Sequence, residues 1–311
     1  MNAIFGLAQE MFVLLVIGLI GFIMRKVNIL PKESNLVLTQ VVLYITLPCL
    51  IIFSMDIQMS IELVLDISWL IGLSVFALLC TTGTGYWLRK KATLPDSRKG
   101  VYEAAIIFGN QGFIGYAIAF LLFGEIGVLY TAFFMIFFFF YVWTYVVYVV
   151  ARAGQKVSWR QILLNPGVIA TTVGFLVMIL PFRLPPILGG VLEDIGTMTL
   201  PLSMILIGSL LSSINGNQFK QLIKNRYIWY ATGAKLLILP LFLIPFLWMP
   251  VSTTVMGVAI LVTATPTAPT VPMFAKKYGG DVEFATFTVA TTTILCVLTI
   301  PLFYALILLV R

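Results

Sequence analysis

Apolar residues run along this chain in long continuous stretches, broken by short polar punctuation rather than by two-residue alternation. Ten such stretches predict ten helical spans, at 6–24, 36–55, 63–88, 101–123, 126–150, 162–180, 188–212, 227–248, 253–274 and 283–310. Each is close to the roughly 20 residues a helix needs to cross a bilayer core about 30 Å thick. Helices are expected rather than a barrel, because the stretches are continuous and a lipid-facing backbone must satisfy its hydrogen bonds internally. Connections are short, so no sizeable soluble domain is expected. The first stretch ends in Arg25-Lys26 with no small-residue cleavage site after it, so it reads as a span and not a cleaved signal.

Two stretches are interrupted where a membrane helix should be most regular. Gly109-Asn110-Gln111-Gly112-Phe113-Ile114-Gly115 places two amides and three glycines inside the fourth span. Ala264-Thr265-Pro266-Thr267-Ala268-Pro269-Thr270-Val271-Pro272 breaks the ninth with three prolines. Irregular backbone at membrane depth persists only inside protein or beside a wet cavity, and discontinuous helices in matching positions point to a transporter's substrate site. The two breaks are therefore expected to face each other. Half-helix N-termini would offer free N–H groups and partial positive charge to an anion. Asn110 and Gln111 would add amide donors, and Thr265, Thr267 and Thr270 hydroxyls. Gly109, Gly112 and Gly115 would allow close approach, while Pro266, Pro269 and Pro272 prevent a straight helix.

Lys235 lies about eight residues into the eighth span, and an intramembrane lysine is a functional hypothesis by default. Snorkelling to the cytoplasmic interface is the competing reading. Pro48 and Pro201, each preceded by Thr-Leu, are expected to kink spans 2 and 7 beside the breaks, with Cys49 and Ser203 as further cavity-lining candidates. Glu10, Asp66 and Glu103 fall near span ends and read as interfacial, Glu103 as a cap for the fourth span.

The two halves echo each other. Thr46-Leu47-Pro48 recurs as Thr199-Leu200-Pro201, and Asn110 precedes Gly124 by the same fourteen residues that separate Pro266 from Gly280. With five spans per half, such halves would be inverted in the membrane. The expected organisation is a first five-helix repeat at 1–150, a short cytoplasmic linker at 151–160 and a second repeat at 161–311.

Composition agrees with membrane embedding: 60% of residues are hydrophobic, 10% are charged, none is histidine, and the mean hydropathy is +1.06. Soluble proteins carry about 25% charged residues. The net charge of +7 does not point to nucleic acid, because sixteen of the nineteen basic residues fall in alternate connections, notably Arg89-Lys90-Lys91 with Arg98 and Lys99. The positive-inside bias puts these in the cytoplasm and both termini outside a plasma or inner membrane. Cys49, Cys80 and Cys296 lack paired spacing, so neither a metal site nor a disulfide framework is expected. No Walker motif and no acid–nucleophile pair at matching depth appears, which reads against an enzyme and against any cofactor. No carboxylate falls at mid-membrane, so sodium or proton coupling is left unassigned.

The chain resembles the auxin efflux carrier family in its broad sense, which includes bacterial malate and malonate permeases and PIN-like transporters. The resemblance rests on Gly109 to Gly115, on the segment 192–208 containing Thr199-Leu200-Pro201-Leu202-Ser203, and on Ala264-Thr265-Pro266 through Tyr278-Gly279-Gly280-Asp281. It implies an all-α membrane protein of ten helices in two inverted five-helix repeats, with broken helices 4 and 9 crossing as in bile acid symporters. It further implies a scaffold of helices 1, 2, 6 and 7, a transport domain of helices 3–5 and 8–10 that moves as an elevator, and a homodimer. Gln111 stands where the family usually has threonine, Tyr116 where proline often follows, and the long hydrophilic loop of the plant carriers is missing. These departures favour a small carboxylate such as malate or malonate over auxin. A sodium-coupled organic anion symporter, and a channel or receptor for a small anion, remain alternatives.

Overall fold

The computed structural model describes residues 2–31, 33–57, 60–141, 144–145, 147–150, 164, 166–179, 183–212 and 224–311. The linker expected at 151–160, with Arg152, Lys156 and Arg160, lies outside them, as do Lys32 and Lys220.

Helices dominate, each with local reasons for its ends. α1 is Asn2–Lys26 and carries Arg25 and Lys26 in its last turn, where cations complement the helix dipole. α2 covers Ser34–Ser54. It widens into a π-turn at Val42–Thr46 just ahead of Pro48, whose ring cannot accommodate a regular preceding turn. α3, Ile61–Lys91, starts on Ser60, whose side chain accepts from the Leu63 N–H, and ends in Arg89, Lys90 and Lys91. α4, Asp96–Ile107, follows Pro95. α5, Tyr116–Tyr141, is led by the π-turn Gln111–Gly115 and bends at Gly124, where φ is 64°.

α6 is Pro166–Ile179, α7 Pro186–Thr197 and α8 Thr199–Ser212. α9, Arg226–Trp248, repeats the device of α2, with a π-turn at Ala234–Ile238 ahead of Pro240. α10 is Thr253–Thr263, capped by Ser252. α11, Thr270–Tyr278, closes on Gly279 in the left-handed conformation, and α12, Val282–Val310, starts on Asp281, which accepts from the Phe284 N–H.

The expectation of ten membrane-crossing helices in two inverted five-helix repeats is not met. Among the described residues, six helices are long and apolar enough to cross a membrane: Ser34–Ser54, Ile61–Lys91, Gln111–Phe138, Pro186–Leu210, Arg226–Trp248 and Val282–Val310. The reason is geometric. A hydropathy run counts apolar residues whether or not they belong to one helix, and a crossing needs about 30 Å at 1.5 Å per residue. The expected ninth span is divided into α10, with 11 residues, and α11, with 9. Of the expected sixth, the described residues form the 14-residue α6. The expected fourth breaks after Ile107, and its second part runs on into the expected fifth. The chain is an all-α, multi-pass membrane protein.

Packing groups the helices. α1 lies along α8, and α2 against α6 and α7. α3 packs against both α4 and α5, α3 and α5 pack onto α10, and α12 packs on α4, α9, α10 and α11. The main core runs through this second group, from Leu70 and Leu73 to Ile260 and Phe284. A smaller cluster of Val42, Phe113 and Leu206 joins the turn before α5 to α2 and α8.

Candidate functional site

The two sequence breaks are in contact. α4 stops at Ile107 because Phe108 turns extended, at φ −88° and ψ 110°. Gly109 then pairs with Thr267 in an isolated antiparallel β-bridge. The Asn110 N–H donates to the Pro266 carbonyl at 2.6 Å and the Ala268 N–H to the Phe108 carbonyl at 2.9 Å. Each break thus satisfies backbone groups that the other leaves exposed in a membrane interior. Proline at 266 and 269 fits here, since it brings no N–H that would need a partner.

Two threonines stitch the junction. Thr267 Oγ1 donates to the Ala105 carbonyl at 2.8 Å, and the Thr267 N–H donates to Thr292 Oγ1 at 3.1 Å, tying the break to α4 and α12. Thr265 Oγ1 donates to the Val262 carbonyl at 2.7 Å. The hydroxyls of Thr265 and Thr267 thus each donate to a backbone carbonyl and help hold the break.

On the α5 side the Asn110 carbonyl accepts from the Ile114 and Gly115 N–H groups, at 2.9 and 3.2 Å, which opens the wide turn Gln111–Gly115. The first N–H groups of such a turn have no upstream helical carbonyl to bond. Asn110 and Gln111 are both buried, and the Gln111 Oε1 is without a hydrogen-bond partner among the described residues. Gln111 and Thr263, whose Oγ1 is also unpartnered, line a cavity of about 10 Å³ with Ser74 and Thr81. That is room for about one water.

Lys235 completes the site. Its side chain is 0% exposed and its Nζ has no hydrogen-bond partner among the described residues. Snorkelling is thereby excluded. The π-turn of α9 carries Lys235 to Gly109: a Cβ added at Gly109 would lie 2.9 Å from Lys235 Nζ and 2.6 Å from Thr265 Oγ1. Glycine at 109 is what lets the ammonium approach. The C-terminal ends of α4 and α10 lie at the same junction, and their partial negative charge favours a cation there.

Other expected residues fall as follows. Gly115 makes only ordinary contacts, and a Cβ at Gly112 would meet open space, so close approach is a property of Gly109 alone among the three. Pro269 caps α11. Pro48, Cys49, Pro201 and Ser203 sit in α2 and α8, and no hydrogen bond among the described residues joins them to the breaks. The threonines of both Thr-Leu-Pro motifs, Thr46 and Thr199, are buried with hydroxyls that have no partner among the described residues, as is Ser203.

Glu103 is enclosed by protein near the basic end of α3. It is 0% exposed in the middle of α4, accepts from Arg89 Nη1 at 2.8 Å, and accepts from the Tyr145 hydroxyl at 2.6 Å. The reading of Glu103 as a cap fails because α4 begins five residues earlier than the apolar run, at Asp96.

Two residues at the junction were not anticipated, Thr292 and Thr263; Tyr116, which follows the wide turn, has a buried hydroxyl without a partner among the described residues. The repeat of threonine at 288 and 292, one helical turn apart in an apolar span, was the available signal for Thr292.

The family model described as "Membrane transport protein" matches residues 7–158 and 150–304, in agreement with the resemblance to auxin efflux carriers. An uncharacterized transporter of Methanocaldococcus jannaschii is 30% identical over 120 residues, a match that takes in 37% of this chain and 38% of that protein. With its matched stretches covering nearly the whole sequence, the chain belongs to the membrane transport protein family.

Proposed function

We propose that this chain carries small organic anions across a cell membrane by alternating access, holding a carboxylate at Lys235 beside the two breaks. The observation that carries the reading is the fully buried Lys235 amine against Gly109, without a hydrogen-bond partner among the described residues, which a bound anion would keep protonated. Burying an unpaired ammonium costs several kcal/mol even after relaxation. The C-terminal ends of α4 and α10 offset about 2 kcal/mol each at best. An anion supplies the rest.

Asn110 and Gln111 are the neutral donors that would complete the carboxylate's coordination, with Gly109, Gly112, Pro266, Thr265 and Thr267 shaping the backbone around it. One ammonium suits one carboxylate. Malate and malonate would need the amides for their second group, and auxin-like acids would not. Coupling to sodium or protons is not part of the proposal.

The grouping of helices supports an elevator-type cycle in which α3–α5 and α9–α12 move against α1, α2 and α6–α8. A homodimer would form through the latter group. Arg89, Lys90 and Lys91 at the end of α3 are placed in the cytoplasm by the charge bias, and both termini on the opposite side.

The test is a thermal-shift screen of mono- and dicarboxylates and aromatic acids on purified protein, followed by counterflow in proteoliposomes for each hit. The proposal requires at least one carboxylate that both stabilises the protein and exchanges. A protein that no carboxylate stabilises, or that binds one without counterflow, contradicts it.

A further inference from the structure

Away from the polar junction, an apolar cavity of about 410 Å³ separates α1 and α8 from α5 and α12. α1 and α8 are pressed together at glycines: a Cβ on Gly208 would collide with the Gly18 carbonyl, and one on Gly21 with the backbone of Ile205. The pair therefore behaves as one ridge, and the space lies between that ridge and its neighbours. Phe22, Ile118, Ile207, Cys296, Val297 and Ile300 form much of the wall.

The contents of this space are constrained by its chemistry. Native interiors seldom keep voids larger than a water molecule, and a volume of 410 Å³ falls in the range of ligand pockets, about 300–1,000 Å³. Water is a poor occupant, since an ordered water needs two to four polar partners and Thr293 is the only hydroxyl residue lining the wall. The lining suits an apolar occupant. The rim points to its source: Leu19 on α1, and Ile294 and Leu298 on α12, line the cavity and are 49%, 48% and 70% exposed, and α12 is among the helices long and apolar enough to cross a membrane. At that rim the surrounding medium is hydrocarbon.

We infer that the cavity receives an acyl chain of a membrane lipid, which enters sideways past Leu298 and wedges between the α1/α8 ridge and α5. The chain would reach Ile114, in the same wide turn as Gln111. Bilayer lipid would thus touch the segment that opens α5. This site is distinct from Lys235 and does not depend on which anion is carried.

The experiment uses proteoliposomes containing phosphatidylcholine with a diazirine in the middle of one chain, photolysed and mapped by mass spectrometry. Ile118, Cys296 and Ile300 are 3%, 5% and 1% exposed, out of reach of lipid that merely surrounds the protein. Adducts on these residues are expected, together with adducts on the rim. Labelling confined to Leu19, Ile294 and Leu298 would overturn the inference. So would loss of the buried adducts on adding a transported carboxylate, since the cavity would then belong to the substrate's body. Val297→Phe, which fills the space, is expected to abolish buried adducts while leaving the rim labelled; persistence of buried adducts in a folded Val297→Phe protein contradicts the inference. If that variant does not fold, the wild-type labelling pattern still decides.

Discussion

Lys235 Nζ and Gly109 are in direct apposition, so close that a methyl group on Gly109 would lie 2.9 Å from the ammonium. The same methyl would lie 2.6 Å from Thr265 Oγ1, which is held by its hydrogen bond to Val262. The lysine's end can swing away, but the threonine is short and fixed. Gly109→Ala is therefore expected to cost about 1–3 kcal/mol through overpacking, and to lower carboxylate affinity by displacing the ammonium. Thermal unfolding and ligand titration on the same preparation check both effects.

Lys235→Met gives opposite signs for stability and binding. Without ligand, replacing an uncompensated buried charge by an apolar chain of similar length is expected to raise stability, by about 1–4 kcal/mol on the scale seen for buried ion groups. Carboxylate binding is expected to disappear. Equilibrium unfolding with and without ligand separates the two, and a destabilised Lys235→Met protein would mean that the ammonium is already satisfied.

The threonines at the break differ in reach. Thr267→Val removes the bond to the Ala105 carbonyl and leaves that buried acceptor unpaired, at about 1–3 kcal/mol. Thr265→Val removes only a bond to Val262, in the helix that precedes it. Thr267→Val should therefore lose more stability and more transport than Thr265→Val, measured by thermal unfolding and counterflow.

Glu103 and Arg89 form an asymmetric pair, 0% and 36% exposed. Arg89→Gln strands a carboxylate in the interior with only the Tyr145 hydroxyl, whereas Glu103→Gln strands a guanidinium that water can reach. Arg89→Gln is expected to be the more damaging by at least about 1 kcal/mol, after allowing for solvent screening at the exposed partner. A double-mutant cycle in thermal unfolding measures the difference.

The junction was legible in the sequence because its chemistry is out of place: amides, glycines and prolines have few reasons to interrupt apolar runs. Lys235 was visible for the same reason, but its burial was not, since snorkelling and burial leave identical sequence signals. The span count failed where backbone continuity mattered. Hydropathy averaged over a span cannot register that α4 stops at Ile107 or that α10 stops at Thr263, because apolar residues resume within a few positions of each break. Thr292 was invisible for a related reason, as a threonine inside a membrane helix usually bonds its own preceding turn. Here it does so with Thr288 and accepts from Thr267 as well.

The measurement that bears most directly on the account is calorimetric titration of the most stabilising carboxylate into wild-type protein and Lys235→Met, with folding of both verified by unfolding curves. The account predicts saturable binding to the wild type and none to folded Lys235→Met. Equal affinity in the two proteins would contradict it, leaving Lys235 as a cation that serves only the helix ends around it.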